Sequence, residues 1–269
     1  MKSIRTQIFL ATALIGVLAF FCGLASAQDI ATESIAFRVG LYMPTISTQL
    51  SVNPSGGTGT TVNLEQDLGL SDRTNSPILD INWRFAQHHR LEFLYFELLR
   101  TSTKVLDKDI ILGGQTYPIN TTVTSKMRNQ IGALTYYYSL MQNPKYELAL
   151  GLGVHNTIFK PSLSGSDGTI STSKRLDVPL PVLAIKGNMQ LGENWTGAAS
   201  GKWFGMQLGD VYGGLTVVNI GATYFMTKNW GIEAAYSSNR YKFDITRPDW
   251  NGNLNITYSG PQLSLVGLF

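Results

Sequence analysis

Cysteine is nearly missing from this chain, with one residue, Cys22, in 269. It lies in a segment that reads as a cleaved leader, so the expected mature form has no thiol. That excludes disulfides and cysteine chemistry. Charge is also sparse, at 14 % of residues, and it is nearly balanced. Loss of Lys2 and Arg5 with the leader takes the basic residues from 21 to 19 against 18 acidic ones, a balance of +1. A nucleic-acid partner wants a strongly basic face and is excluded on that ground. Beyond the leader no apolar run approaches the ~20 residues of a membrane-crossing helix, and no long window has helical periodicity. There are three histidines, and no metal-ligand spacing is present. Neither a cofactor nor a metal is expected.

Residues 1–27 have the three parts of an export signal. Lys2 and Arg5 supply the positive start, Ile8 to Leu24 the apolar core, and Ala25-Ser26-Ala27 the small-residue cleavage site. The competing reading is an uncleaved anchor, but the apolar run is near the lower limit for spanning and leads straight into the cleavage site. Phe21 stands where a lipoprotein signal wants a small residue before Cys22. The expected domains are a signal peptide, 1–27, and one barrel domain, 28–269.

What the mature chain does have is glycine, threonine, serine, asparagine and tyrosine in short runs of period-two alternation. Ile35, Phe37, Val39, Leu41 and Met43 share one face of a first strand. Leu79, Ile81, Trp83 and Phe85 oppose Asp80, Asn82 and Arg84 in a second. Tyr146, Leu148, Leu150, Leu152 and Val154 oppose Glu147, Ala149, Gly151, Gly153 and His155. Leu183, Ile185, Met189 and Leu191 oppose Ala184, Lys186, Asn188 and Gln190, and Val218, Ile220, Ala222 and Tyr224 oppose Asn219, Gly221 and Thr223. The polar faces are small, as a narrow lumen requires. Trp83, Phe85, Tyr136, Tyr138, Tyr146, Trp195, Tyr224, Trp230 and Phe269 lie beside short turns, as in an interfacial aromatic belt.

Short turns fall at 87–89, 142–145, 192–194 and 227–229. Longer connections are expected at about 45–75, 106–122, 161–175, 208–214 and 247–252. This asymmetry predicts an all-β, closed, antiparallel up-and-down transmembrane barrel in a bacterial outer membrane, with the short turns periplasmic. Ten strands are expected, with eight or twelve as alternatives, twelve if Thr60–Leu64 adds a strand. Three strands break phase. Leu94 and Phe96 point to the wet face, and bulges are expected to reverse the alternation near Ser259-Gly260-Pro261 and between Tyr236 and Tyr241. Leu64 to Leu70 is read as a possible turn of helix beyond the flexible tip Asn53–Gly59.

The lumen is expected to receive Arg38, Arg84, Lys186 and Lys202 against Asp80, Glu92, Glu147 and Glu233. In a narrow barrel such charges should pair into a structural network; the sharper reading is a polar solute path. His88 and His89 are neighbours in a turn and point apart. His155 is the one lumenal histidine, with no acid or serine fixed beside it by sequence, so no catalysis is expected. Lys104, Lys108, Lys174 and Arg175 are basic residues near loops that can meet lipopolysaccharide phosphates.

Three stretches carry a resemblance: Leu64-Glu65-x-Asp67-Leu68-Gly69-Leu70; His89-Arg90-Leu91-Glu92-Phe93-x-Tyr95-Phe96; and Trp203-Phe204-Gly205 with Gly209-Asp210-x-Tyr212-x-Gly214. With them the chain resembles a family of small proteobacterial outer-membrane barrels, a likeness that implies no site residues. More distantly it is similar to OmpW-like and OmpA-like barrels, and the former likeness implies passage of small, hydrophobic solutes, which Leu94 and Phe96 would suit.

The expected role is structural or permeability-related, without catalysis. The alternatives are a narrow gated channel or a surface adhesin. Expected partners are membrane lipid and lipopolysaccharide, and the barrel-assembly machinery through the last strand, which ends in Phe269. The protein is expected to be a monomer.

Overall fold

A computed structural model describes residues 33–53, 61–112, 115–165, 170–247 and 250–269. The leader and most of the Asn53–Gly59 tip lie outside these. Fifteen strands follow in chain order: β1 (Ile35–Tyr42), β2 (Thr45–Asn53), β3 (Thr61–Asn63), β4 (Ser76–Ala86), β5 (His89–Val105), β6 (Ile110–Leu112), β7 (Gln115–Tyr117), β8 (Thr122–Asn143), β9 (Tyr146–Gly165), β10 (Ser171–Ser173), β11 (Leu176–Gln190), β12 (Trp195–Leu208), β13 (Val211–Phe225), β14 (Trp230–Arg247) and β15 (Trp250–Leu268).

Ten of them close a ring: β1, β4, β5, β8, β9, β11, β12, β13, β14 and β15, which pairs back onto β1. All pairs are antiparallel. The seam joins Ala36 to Leu268 and Tyr42 to Gln262. It is locked at the end of the chain, where the Ser34 and Ile35 amides both donate to the Phe269 carbonyl at 2.7 Å. Outside the seam Phe269 stacks on Phe37 at 6.0 Å, and Trp230 meets both rings edge-on.

The strands are much longer than a membrane needs. A spanning strand takes about 9–11 residues, whereas β8 has 22 and β9 has 20. Each long strand therefore crosses two environments, and its alternation is answered differently in each. Near the short turns the outward residues are apolar: Trp83, Leu150, Leu152, Ile185, Ile220 and Ile232 are all exposed. Toward the other end the apolar residues turn inward. Tyr42, Phe96, Met127, Ile131, Phe159, Phe243, Leu254 and Tyr258 are buried in one cluster inside the barrel, while Arg240, Lys242 and Thr246 of β14 face out.

This corrects the expected bulges. The β14–β15 register runs without a shift from Trp230↔Gly267 to Arg247↔Trp250, and β13–β14 is equally regular. Along these strands alternation does not reverse; the hydrophobic side of the sheet does. Leu94 and Phe96 are inward for the same reason, as lower members of the apolar core. The register shifts lie elsewhere, between Arg84 and Ala86 and between Ser139 and Met141, near the short turns.

The outer connections also differ from expectation. Residues 45–53, read as loop, continue the first strand beyond Met43-Pro44 and pair with the outer half of β15. Thr61–Asn63 forms only a short addition to β2, so it adds no barrel strand. Leu64–Leu68 is a series of turns rather than a helix. The connection expected at 106–122 holds the β6–β7 hairpin, and β10 folds back on β9. Of the other two long connections, β12 turns into β13 through Gly209-Asp210, where the glycine adopts φ +59°, and β14 and β15 stay paired as far as Arg247↔Trp250.

Candidate functional site

The eight charged residues expected in the lumen fall into two groups. Glu92 of β5 lies at mid-barrel and accepts from Lys186 Nζ of β11 and Lys202 Nζ of β12, both at 2.7 Å. Arg38 of β1 bridges Asp80 of β4 at 3.1 Å and Glu233 of β14 at 2.9 Å. Asn82 joins these pairs, donating to Asp80 at 2.5 Å and accepting from Lys186 at 2.6 Å. Three cations and three carboxylates thus form one connected network.

The second group lies nearer the short turns. Glu147 accepts from Arg84 Nη2 at 3.3 Å and from Arg90 Nη2 at 2.7 Å, and the Ser139 hydroxyl also donates to it. Arg90 reaches Glu33 at 2.8 Å. Both Arg90 and Glu33 escaped the sequence reading. Arg90 shares the parity of Glu92, so a strand beginning at His89 was the signal for it; Glu33 precedes the first strand and belongs to no pattern. Burial pushes the Glu33 carboxyl up to about 7, against the lowering effect of Arg90.

Charges this buried are stable only as partners. Glu92 is 6 % exposed, Lys202 4 % and Glu147 3 %. Burial of an ion is costly, and close opposite charges with extra hydrogen bonds offset the cost. Here Thr135 accepts from Lys202 at 3.0 Å, and the Lys186 ammonium lies 5.5 Å from the centre of the Tyr137 ring.

A cavity of about 100 Å³ sits above the central network, between Lys186, Lys202 and Glu233 below and Ile78, Phe96 and Val217 above. A second, of about 40 Å³, lies toward the short turns beside Glu33, Arg90 and Phe225. The two share Arg38, Lys186 and Ala198 as lining residues. Above the larger cavity the apolar core fills the barrel, stitched by polar groups: Asn129 donates to the Tyr258 hydroxyl at 2.6 Å, and Asn239 to that of Tyr42 at 3.2 Å.

His155 lines the larger cavity. It is 1 % exposed, and its Nε2 lies 2.9 Å from the Tyr241 hydroxyl. His88 Nδ1 lies 3.0 Å from the Ser139 carbonyl and His89 Nδ1 2.7 Å from the Tyr136 hydroxyl. Among the described residues no group of three histidine, cysteine, aspartate or glutamate side chains is arranged to hold a metal.

The outer mouth is covered by the segment 64–70. Leu64, Leu68 and Leu70 are buried in the apolar core. A clasp holds them: inward-facing Arg100 donates to Glu65 at 2.6 Å, to the Thr48 hydroxyl at 2.9 Å and to the Ser71 carbonyl at 3.1 Å. Glu65 in turn accepts from the Thr48 amide at 2.8 Å. The sequence displayed the apolar spacing of this segment but not its partner.

A closed ten-stranded antiparallel cylinder with an apolar exterior, aromatics at its lower rim and ion pairs inside defines an integral β-barrel protein of the bacterial outer membrane. Among solved structures the chain is similar to the outer-membrane protease OmpT from Escherichia coli, at 13 % identity and a TM-score of 0.60 over 92 % of this chain and 99 % of that one. It is more remotely similar to Ail, the attachment invasion locus protein of Yersinia pestis (10 % identity, TM-score 0.38, 87 % and 96 % covered). The toluene transporter TodX of P. putida is similarly remote (10 % identity, TM-score 0.36, 90 % and 91 % covered). These likenesses concern fold. No family model matches the chain, and no curated protein matches it in sequence.

Proposed function

We propose that this barrel is a structural element of the outer membrane that conducts no solute and carries no catalysis. One observation supports this above the rest: the outer half of the lumen is packed with buried side chains contributed from around the ring, including Tyr42, Phe96, Met127, Phe159, Leu180, Leu215, Phe243 and Tyr258. Interiors packed in this way hold few voids larger than a water molecule. Against catalysis stands His155, whose hydrogen-bond neighbour is a tyrosine rather than a carboxylate. A general base needs an orienting acid or a nucleophile within reach.

The second reading is a narrow channel for small apolar solutes. The shared lining of the two cavities favours it, because movement of Arg38 or Lys186 would join them. Planar-bilayer recordings separate the two. Wild type is expected to show no unitary openings, and so is a variant lacking residues 64–70, because the core beneath that cover remains. Discrete openings in either protein would replace the structural reading with the channel.

A further inference from the structure

The larger cavity is lined by polar groups that the charge network does not use. His155 of β9 is buried there, and its Nδ1 has no hydrogen-bond partner among the described residues, while Nε2 lies against Tyr241. Gln262 and Ser264 of β15 line the same space, and among the described residues neither side chain has a hydrogen-bond partner. Both share the inward parity of Tyr258. In the closed ring four strands separate β9 from β15 on either side, so the two sets face each other across the lumen. The six charges around the floor are paired with one another: Arg38, Lys186 and Lys202 answer Asp80, Glu92 and Glu233.

Small side chains keep the space open. Ala198, Gly221 and Ala235 form its wall on β12, β13 and β14. At the seam Gly40 is the cross-strand partner of Ser264, and a Cβ at Gly40 would collide with the Ser264 hydroxyl. The roof is different in kind, because Ile78, Leu94, Phe96 and Val217 offer no side-chain hydrogen bond. A buried water wants about 2–4 polar partners and finds none on that side. A molecule with hydroxyls at its ends and C–H groups between them satisfies both surfaces. An apolar cavity of ~150 Å³ holds benzene, so a cavity of about 100 Å³ suits something smaller. The lining charges already balance, so an added charge would stand unpaired and costly. The fitting guest is neutral.

We propose that this cavity binds a small neutral polyol of the size of glycerol, with one hydroxyl at His155 Nδ1, another at Gln262 and Ser264, and the carbon chain under Phe96 and Val217. Each unpartnered group then gains the hydrogen bond that offsets its burial, and the C–H face packs on apolar side chains. The guest enters from the side of the short turns, through the second cavity, which shares Arg38, Lys186 and Ala198 as lining with the first. The apolar core above stops it there. The inference goes beyond the structural reading and does not rest on it, because a barrel can hold a guest whether or not it conducts.

The test titrates detergent-purified barrel, isotope-labelled for nuclear magnetic resonance, with glycerol. It follows the His155 ring nitrogens and the magnetisation transfer from glycerol protons to Phe96. Saturable binding is expected. It should be about fivefold weaker in Ser264→Ala, which loses one hydrogen bond, and abolished in Ala235→Leu, which fills the cavity. The same titration with n-propanol, which keeps the chain and a single hydroxyl, should give about tenfold weaker binding. Glycerate, which adds a charge, should bind more weakly than glycerol. Ser264→Ala alone carries the test should Ala235→Leu fail to fold. A shift that never saturates, transfer to Phe96 from water alone, n-propanol binding as tightly as glycerol, or unchanged affinity in these variants would overturn the proposal.

Discussion

The two halves of this barrel use one sheet and opposite rules. In the half nearest the short turns, Leu150, Leu152, Ile185 and Ile220 face out, while Glu92, Lys186, Lys202 and Glu147 face in. In the other half, Phe159, Phe243, Leu254 and Ile256 face in, while Lys160, Lys242 and Asp244 face out. The backbone does not change between them, because the ladder from β13 through β15 keeps one register. What changes is the surrounding solvent. Lipid favours apolar side chains outside and leaves the polar ones to pair inside; water reverses both preferences. The difference teaches that a strand's hydrophobic face is set by what bathes it, and that one strand can hold both answers in sequence.

Three experiments test this contrast. The largest effect is expected in the lipid-embedded half. Glu92→Gln leaves the Lys186 and Lys202 ammonium groups without their carboxylate and should cost about 3–5 kcal/mol, read as a lowered urea midpoint in liposomes. Replacing all three by Leu or Met should restore most of it, since an apolar filling is as good as a paired one; no recovery would mean that the lower lumen needs charge. Next is Phe96→Ala in the outer core, where a fully buried ring packs edge-on against Tyr42 at 5.5 Å. A loss of about 3–4 kcal/mol is expected, and a loss below ~1 kcal/mol would show that the outer lumen is loosely filled. The third compares one change in both environments. Leu152→Arg should cost about 2–4 kcal/mol on the lipid face, whereas Thr124→Arg, outward on β8 in the other half, should stay within about 0.5 kcal/mol. Equal costs would erase the proposed solvent boundary.

The ten strands and the lumenal charges were legible because they lie mainly in the lipid-bathed half, where alternation follows a single rule. Asp80-Ile81-Asn82-Trp83-Arg84 assigns its own faces. The outer half was misread for the same reason: Leu254, Ile256 and Tyr258 obey the opposite rule, and a bulge was the only device that a single rule allowed. Residues 45–53 looked like loop because Thr45, Ser47, Gln49 and Ser51 are polar. Thr45, Ser47 and Gln49 are the water side of a strand whose other face, Ile46 and Leu50, is core, and Ser51 is buried. The Arg100–Glu65 clasp was beyond reach, since it joins residues 35 positions apart through the course of an irregular segment.

The seam has a consequence for how such a molecule comes into being. It brings together Ala36 with Leu268 and Thr45 with Ser259, partners from opposite ends of the polypeptide. Until the last strand pairs, β1 and β2 have an unfilled edge, and the apolar surfaces of both halves remain uncovered. Contacts so distant in sequence form slowly, and exposed edges with apolar faces invite aggregation. Loss of Val266 to Phe269 would open the seam only at its lower end, from Ala36↔Leu268 to Arg38↔Val266, and leave the pairs above it in place.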